Sequence, residues 1–309
     1  MLRYVLALLV AVLPPLQQSG GAAATLRFDW PRSVTAHVDT EFRHEYSDGQ
    51  VIVLTSLLQM THRMRISPHE DGRLIRYDNQ AYVASIGDLE PGVAALLPLW
   101  VPTQIVSGDG RFLRMENAES VQQNVIDLFA AKGRTELVQR VPVFKEYIRL
   151  MTSDAGLRGL AQENWYGLVQ RWIAAPLAEG ALDGAGPQVI PLEQQAPSTI
   201  SRRMVGRSPC ARSGIRRECV TYEITTQRDH DQLANLAKAL QDSGAGGLAD
   251  AELIEEMKTE QVTLEASTML PHEFAVTRSV VTAVQEDGRV VPTINLERIR
   301  SVFSYSDED

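Results

Sequence analysis

The sequence predicts an α+β fold in which a strongly curved antiparallel sheet is covered by helices from the middle of the chain. Apolar and polar residues alternate over 33–66 and again over 262–305, as they do in strands that bury one face. Over 117–180 the apolar period changes to about 3.6, which indicates helices. We expect the two strand blocks to pair in one sheet, because each alone offers few strands and leaves a face uncovered.

The first strand block opens with two long runs joined by a tight polar turn at Ser47-Asp48-Gly49. The outgoing run places Val34, Ala36 and Val38 on one side. The return run places these apolar residues on one side: Ile52, Leu54, Leu58, Met60, Met64 and Ile66. At roughly 3.3 Å per residue each strand reaches about 40 Å, twice the common length, which favours a strongly curved sheet or a barrel wall.

Shorter strands complete this block. Alternation predicts strands at 74–77 and 80–86, and a hairpin made of 103–107 and 111–116. The stretch 89–102 between them is apolar and interrupted by proline, so it is either a buried crossing or an exposed lid.

Three helices are predicted next. Asn117 or Ser120 caps the first, the second covers 135–151 with a kink or restart at Pro142, and the third begins near Ser153. The third helix has one apolar face, made of Leu157, Ala161, Trp165, Leu168, Val169 and Trp172.

A hairpin over 199–226 follows and carries the two cysteines of the chain, Cys210 and Cys219. An even pair across a polar turn predicts a disulfide in an oxidising compartment. A redox or metal-thiolate pair is the alternative, but the usual C-x-x-C spacing is missing.

The same hairpin is rich in arginine, with no acidic residue from 198 to 217. Its arginines are Arg202, Arg203, Arg207, Arg212, Arg216 and Arg217. This patch predicts contact with an anionic head group or an acidic partner. The alternative, that these arginines pair with carboxylates elsewhere on the protein, stays open.

The last third of the chain begins with a helix that Asp229 or Asp231 caps, and a shorter helical piece at 250–257. Alternation then predicts three closing strands over 258–305.

The first residues have the features of a secretory signal. Arg3 precedes an apolar core over 5–13, and small residues at 20–24 form a cleavage site. An uncleaved anchor is the alternative, but an apolar core of about nine residues is well below the ~20 that span a bilayer. We therefore expect cleavage after Ala24, a periplasmic or secreted protein, and a single mature domain over 25–309 with no transmembrane segment.

The sequence offers little chemistry. It contains no nucleophile elbow, zinc-protease, Walker or dinucleotide motif, so we predict a non-enzymatic protein without cofactor or metal. His230, which lies between two aspartates, is better explained as part of a helix cap than as a base. Met60, His62 and Met64 share one side of a strand and are a ligand set suited to copper, but the methionines also suit a core. The net charge of −9 argues against general affinity for nucleic acid.

The order of elements and the segment over 262–272, in which a Leu-Pro step precedes a strand, resemble the periplasmic lipoprotein carriers and their half-barrel architecture. The resemblance implies an apolar cavity between sheet and helices that holds an acyl chain. The residues that would line the cavity are Leu54, Leu58, Met60, Met64, Trp100, Trp165 and Trp172.

We therefore expect an envelope protein that binds a lipid or acyl chain. A structural or protein-interaction factor with a filled core is the second hypothesis, and a hydrolase is the third.

Overall fold

The computed structural model describes residues 24–47, 51–87, 102–131, 149, 151–182, 199–228, 231, 252–286 and 289–306. Eleven strands lie within these ranges and form one sheet whose pairings are all antiparallel. The strands are β1 (Val34–Ser47), β2 (Ile52–His69), β3 (Gly72–Gly87), β4 (Gln104–Ser107), β5 (Phe112–Met115), β6 (Gly180–Ala181), β7 (Thr199–Arg212), β8 (Ile215–Arg228), β9 (Glu252–Glu265), β10 (Pro271–Glu286) and β11 (Arg289–Ser306).

The strand order is β5-β4-β3-β2-β1-β11-β10-β9-β8-β7-β6. The two strand blocks join where β1 pairs with β11, with Ala36 opposite Tyr305. The sequence prediction that the closing strands complete the sheet begun by the first ribbon is thus confirmed. The short strands β5 and β6 occupy the two ends of the order, so the sheet is not closed.

The predicted covering of helices is wrong. The described chain contains two α-helices, α1 (Ala118–Ala131) and α2 (Asp154–Leu168), followed by a single 3₁₀ turn at Gln170–Trp172. The predicted helical piece at 250–257 is also wrong, because residues from Glu252 onward belong to β9. The protein is a predominantly antiparallel sheet, and none of its described helices is long and apolar enough to cross a membrane.

Several local predictions are confirmed. The first ribbon forms β1 and β2, the hairpin at 103–116 forms β4 and β5, and α2 starts after Ser153, whose side chain accepts a hydrogen bond from the Gly156 amide at 3.1 Å. The two pieces predicted at 74–77 and 80–86 are one strand, β3.

Other predictions lie outside the described residues. These are the signal segment before Ala24, most of the turn at 47–49, most of the stretch 89–102, most of the second predicted helix at 135–151, and most of the helix predicted after Asp229.

A β-bulge interrupts the first ribbon. Phe42 lies opposite Leu58 and His44 opposite Ser56, but the next residue, Glu45, lies opposite Leu54. Between these pairs β2 therefore has one more residue than β1. Beyond this point each residue of β2 lies on the opposite face from the one that simple alternation predicts.

Candidate functional site

One side of the sheet carries the interior of the protein, and we call it the core face. Directly opposite residues in paired strands share a face, so the register defines it. One row of partners crosses six strands through Met60, Thr40, Ser301, Phe274, Val262 and Tyr222.

Aromatic side chains fill one end of the core face. Trp165 from α2 meets Trp30 edge-on with ring centroids 5.1 Å apart, and Trp172 stacks on Tyr222 at 5.2 Å. The indole of Trp165 donates a hydrogen bond to the carbonyl of Gly110 at 2.8 Å. Burying these rings against strand residues excludes water, so this end is a packed core.

The predicted cavity residues do not form one group. Met64, Trp165 and Trp172 belong to this packed core. Leu58 and Met60 form a separate buried pair against Phe42. Leu54 lies beyond the bulge, on the opposite face from Leu58, and its residue surface is 36% exposed. Trp100 lies outside the described residues.

The next row along the strands is mostly apolar, and we call it the apolar row. It consists of Leu58, Phe42, Ile299, Val276, Glu260 and Ile224. Leu58 and Ile224 are buried, whereas Phe42, Val276 and Ile299 are half-buried. The row therefore leaves part of its apolar surface uncovered.

A charged row follows, about 7 Å further along the strands at roughly 3.3 Å per residue. It consists of His44, Glu297, Arg278, Lys258 and Thr226. Arg278 and Lys258 are direct cross-strand partners. Like charges placed opposite each other destabilise a sheet, and three carboxylates offset this pair: Glu256 and Glu297 accept hydrogen bonds from Arg278, and Glu260 lies 3.3 Å from Lys258.

Glu256 stabilises the charged row. Its carboxylate accepts hydrogen bonds from Arg278 and Arg228, each at 2.7 Å. Burial opposes ionisation of Glu256, but the two arginines outweigh burial and hold the pKa of this carboxyl below its usual range. The carboxylate is therefore charged at neutral pH and neutralises part of the surrounding positive charge.

Glu260 plays the same part in the apolar row. Arg171 lies 3.1 Å from its carboxylate and Lys258 lies 3.3 Å away. Burial again opposes ionisation, but the two cations keep the pKa of Glu260 below its usual range. Among the residues of the core face beyond the filled end for which the structure gives side-chain burial, five cations stand against three carboxylates. The cations are Arg171, Arg202, Arg228, Lys258 and Arg278, and the carboxylates are Glu256, Glu260 and Glu297.

Among the buried polar atoms of the core face that have no hydrogen-bond partner in the described part of the chain, two belong to neighbouring side chains. They are Nδ1 of His62 and the hydroxyl of Tyr77, whose rings lie 5.7 Å apart between centroids. Burial lowers the pKa of His62 to about 4 and raises that of Tyr77, so both side chains are neutral at pH 7.

In the arginine hairpin the structure confirms the predicted disulfide. It also favours the alternative in which the arginines pair with carboxylates of the protein. Cys210 and Cys219 are bonded, with their Cα atoms 5.7 Å apart. Four of the six arginines face carboxylates: Arg203 pairs with Glu223 at 2.6 Å, Arg207 with Glu218, and both Arg212 and Arg217 lie 3.7 Å from the buried Glu265. Arg216 is exposed beside the turn and Arg202 lies on the core face. The hairpin is therefore largely neutralised within the protein.

A cleft of about 280 Å³ lies at the filled end of β1 and β2. Polar and charged residues make up most of its wall, which consists of Ser33, Val34, Thr35, Arg65, Ile66, Ser67 and Arg76. It is smaller and more polar than typical ligand sites of roughly 300–1,000 Å³. The apolar and charged rows are therefore the better candidate.

No protein-family model matches this sequence, and no curated protein matches it either. The geometry of the core face thus carries the functional argument. Sequence reasoning missed the charged row because the segment containing Glu256 and Lys258 was predicted to begin as a helix. The apolar–polar alternation over 261–266 marks the strand but does not extend back to Glu256 and Lys258, so no local pattern locates the charged row.

Proposed function

We propose that the protein is an exported, non-enzymatic envelope protein that binds an amphipathic ligand, a lipid or an acyl chain, on the core face. The observation that carries the proposal is the adjacency of the two rows. Half-buried apolar side chains at Phe42, Val276 and Ile299 lie one strand repeat from Arg278 and Lys258. An acyl chain fits the apolar row, and an anionic head group fits the charged row.

The proposed ligand position differs from the cavity expected from the sequence. The filled end of the sheet leaves no role for Trp165 and Trp172 as the cover of a ligand, because both are buried at 2% exposure or less. The resemblance to lipoprotein carriers still supports an acyl ligand. Five of the six arginines of the hairpin lie outside the apolar and charged rows and are therefore no part of the proposed site, whereas Arg202 lies opposite Ile224 at the end of the apolar row.

Native mass spectrometry of protein purified without detergent tests the proposal. A stable added mass that releases a lipid on activation supports it. A clean apo mass, together with failure to bind a fluorescent fatty acid, would refute it.

A matched pair of variants locates the site. Arg278 bonds Glu256 on the core face at 2.7 Å, and Arg300 bonds Glu273 on the opposite face at the same distance. We expect Arg278→Gln to weaken fatty-acid binding about ten- to a hundredfold, since a hydrogen bond to a charged group contributes roughly 1.5–3 kcal/mol. Arg300→Gln should bind normally. Equal loss in both variants would place the ligand elsewhere.

Export is tested separately. Fractionation of the source cells should find the protein outside the cytoplasm, and N-terminal sequencing should begin at Thr25. A mature chain that retains its first residues would contradict cleavage after Ala24.

A protein-interaction role is the second candidate, and one observation favours it. The end of the ribbon away from the packed core exposes Tyr46, Val51, Ile52, Val53 and Leu54, each by 36% or more. Exposed apolar groups of this kind mark contact surfaces. If this role is correct, crosslinking in the native compartment should capture a partner protein with the wild type, and Ile52→Ser should abolish that capture.

A further inference from the structure

Met60, His62 and Met64 lie on the core face of β2. The register places them opposite Thr40, Val38 and Ala36 of β1, with no bulge among these three pairs. Their side chains therefore point to the same side of the sheet, as the alternation predicts. His62 stands between the two thioethers.

His62 is only 7% exposed, and its Nδ1 has no hydrogen-bond partner among the described residues. Leaving a buried polar atom unpaired is unfavourable, and an atom of this kind in a native protein calls for an explanation. Packing alone explains the two methionines but not the imidazole between them, because a leucine would fill the same position without burying a polar atom.

The chemistry of the three groups selects one kind of ligand. Thioethers are soft ligands that favour Cu(I), and imidazole also binds copper. A ring nitrogen of histidine is a common metal ligand, and Nδ1 of His62 makes no hydrogen bond to the described residues that would compete with a metal. Each methionine has three rotatable bonds, which let its sulfur approach an ion above the central residue.

We propose that Met60, His62 and Met64 form a binding site for one Cu(I) ion, with the imidazole and the two thioether sulfurs as ligands. The surrounding side chains suit a soft monovalent ion, since Phe42, Leu58 and Val38 keep the site apolar. The site does not depend on the lipid-binding proposal, because none of its three proposed ligands belongs to the apolar row or the charged row.

Competition with a chromogenic Cu(I) chelator such as bicinchoninate, under ascorbate, measures the affinity. A thiol assay first verifies that the disulfide between Cys210 and Cys219 is intact, because free thiols would bind the same ion. We expect the wild-type protein to remove one equivalent of Cu(I) from the chelator. His62→Leu should weaken binding more than tenfold, and Met60→Leu and Met64→Leu should each weaken it severalfold.

Met204 supplies the matched control. It is buried to a similar degree on the same face, at 2% exposure, but lies on β7. Met204→Leu should bind Cu(I) like the wild type. With methyl-labelled methionine, diamagnetic Cu(I) should shift the signals of Met60 and Met64 and leave that of Met204 in place.

The proposal is overturned if the wild-type protein takes no Cu(I) from the chelator, or if Met204→Leu weakens binding as much as Met60→Leu. Circular dichroism checks that each variant folds. Since His62→Leu removes an unpaired buried polar group, we expect its melting temperature without copper to equal or exceed that of the wild type. If His62→Leu does not fold, retained Cu(I) binding by a folded Met60→Leu, Met64→Leu double variant overturns the proposal.

Discussion

Replacing Glu256 by glutamine tests the charged row directly. The substitution removes the carboxylate that accepts hydrogen bonds from Arg228 and Arg278, whose side chains are 13% and 44% exposed. A buried bond to a charged group contributes about 1.5–3 kcal/mol, whereas an exposed pair contributes about 0.2–1 kcal/mol. Counting Arg228 in the first class and Arg278 in the second, we expect Glu256→Gln to lower the free energy of unfolding by about 2–4 kcal/mol at pH 7.

The pH dependence of this loss follows from the pKa of Glu256. Because Arg278 and Arg228 outweigh burial and depress the pKa in the folded protein, the stabilisation by this carboxylate is fully present above its unfolded value, about 4.3. It is lost as the pH falls through the lower folded value. The difference between Glu256→Gln and wild type should therefore be full at pH 7 and shrink below about pH 4.

Urea denaturation followed by tryptophan fluorescence measures the difference in unfolding free energy between Glu256→Gln and wild type at pH 7 and at pH 3.5. Glu255→Gln is the control, because Glu255 is the adjacent residue on the other face and accepts an exposed hydrogen bond from Gln227 at 3.1 Å. It should change stability by well under 1 kcal/mol. A loss in Glu256→Gln that is the same at pH 7 and pH 3.5, or that Glu255→Gln reproduces, would refute the reasoning.

Two further predictions concern stability. Gly110 has a φ of +86°, and a Cβ there would lie 2.6 Å from the Phe28 ring. We therefore expect Gly110→Ala to lower the free energy of unfolding, measured by urea denaturation, by about 2 kcal/mol or more. At Gly108 a Cβ would meet nothing within 4 Å, so Gly108→Ala should lower it by under 1 kcal/mol. Equal losses at the two glycines would contradict this packing argument. Replacing Cys210 and Cys219 together by serine should cost about 2–3 kcal/mol, because the bond closes a loop of nine positions in the unfolded chain. An unchanged denaturation midpoint would show that the bond does not stabilise the fold.

Local pattern was sufficient for the first ribbon on the packed-core side of its bulge and for α2. The alternation around Val38 and Met60 is unbroken over many residues, and Ser153 precedes an apolar stripe with helical spacing. Both signals come from residues close in sequence, and they specify which face is buried.

The start of β9 shows where local pattern is insufficient. The residues around Glu255 and Glu256 are strong helix formers, which is why a helix was predicted. In the sheet, Glu256 instead lies opposite Arg228 on one neighbouring strand and bonds Arg278 on the other. These partners are distant in sequence, so the contacts that override helix propensity are not visible locally.

The sequence predicted only part of the candidate site, again because some of its contacts join residues that are distant in sequence. Leu58 and Met60 were correctly placed on the buried side of β2, but the bulge that moves Leu54 to the other face depends on the pairing with β1. A bulge adds a residue to one strand relative to its partner, so the sequence of one strand alone does not reveal it.

The lipid site and the copper site can be tested separately because they use different binding groups. Arg278 and Lys258 would hold the head of a lipid, whereas His62 would hold the metal, and Phe42 and Leu58 of the apolar row border both sites. His62→Leu should therefore weaken Cu(I) binding more than tenfold and leave fatty-acid binding intact, whereas Arg278→Gln should weaken fatty-acid binding at least tenfold and leave Cu(I) binding intact. If both variants lose both activities, the cause is a shared change in the sheet rather than either site. A single loss in each variant would show that the core face carries two independent functions.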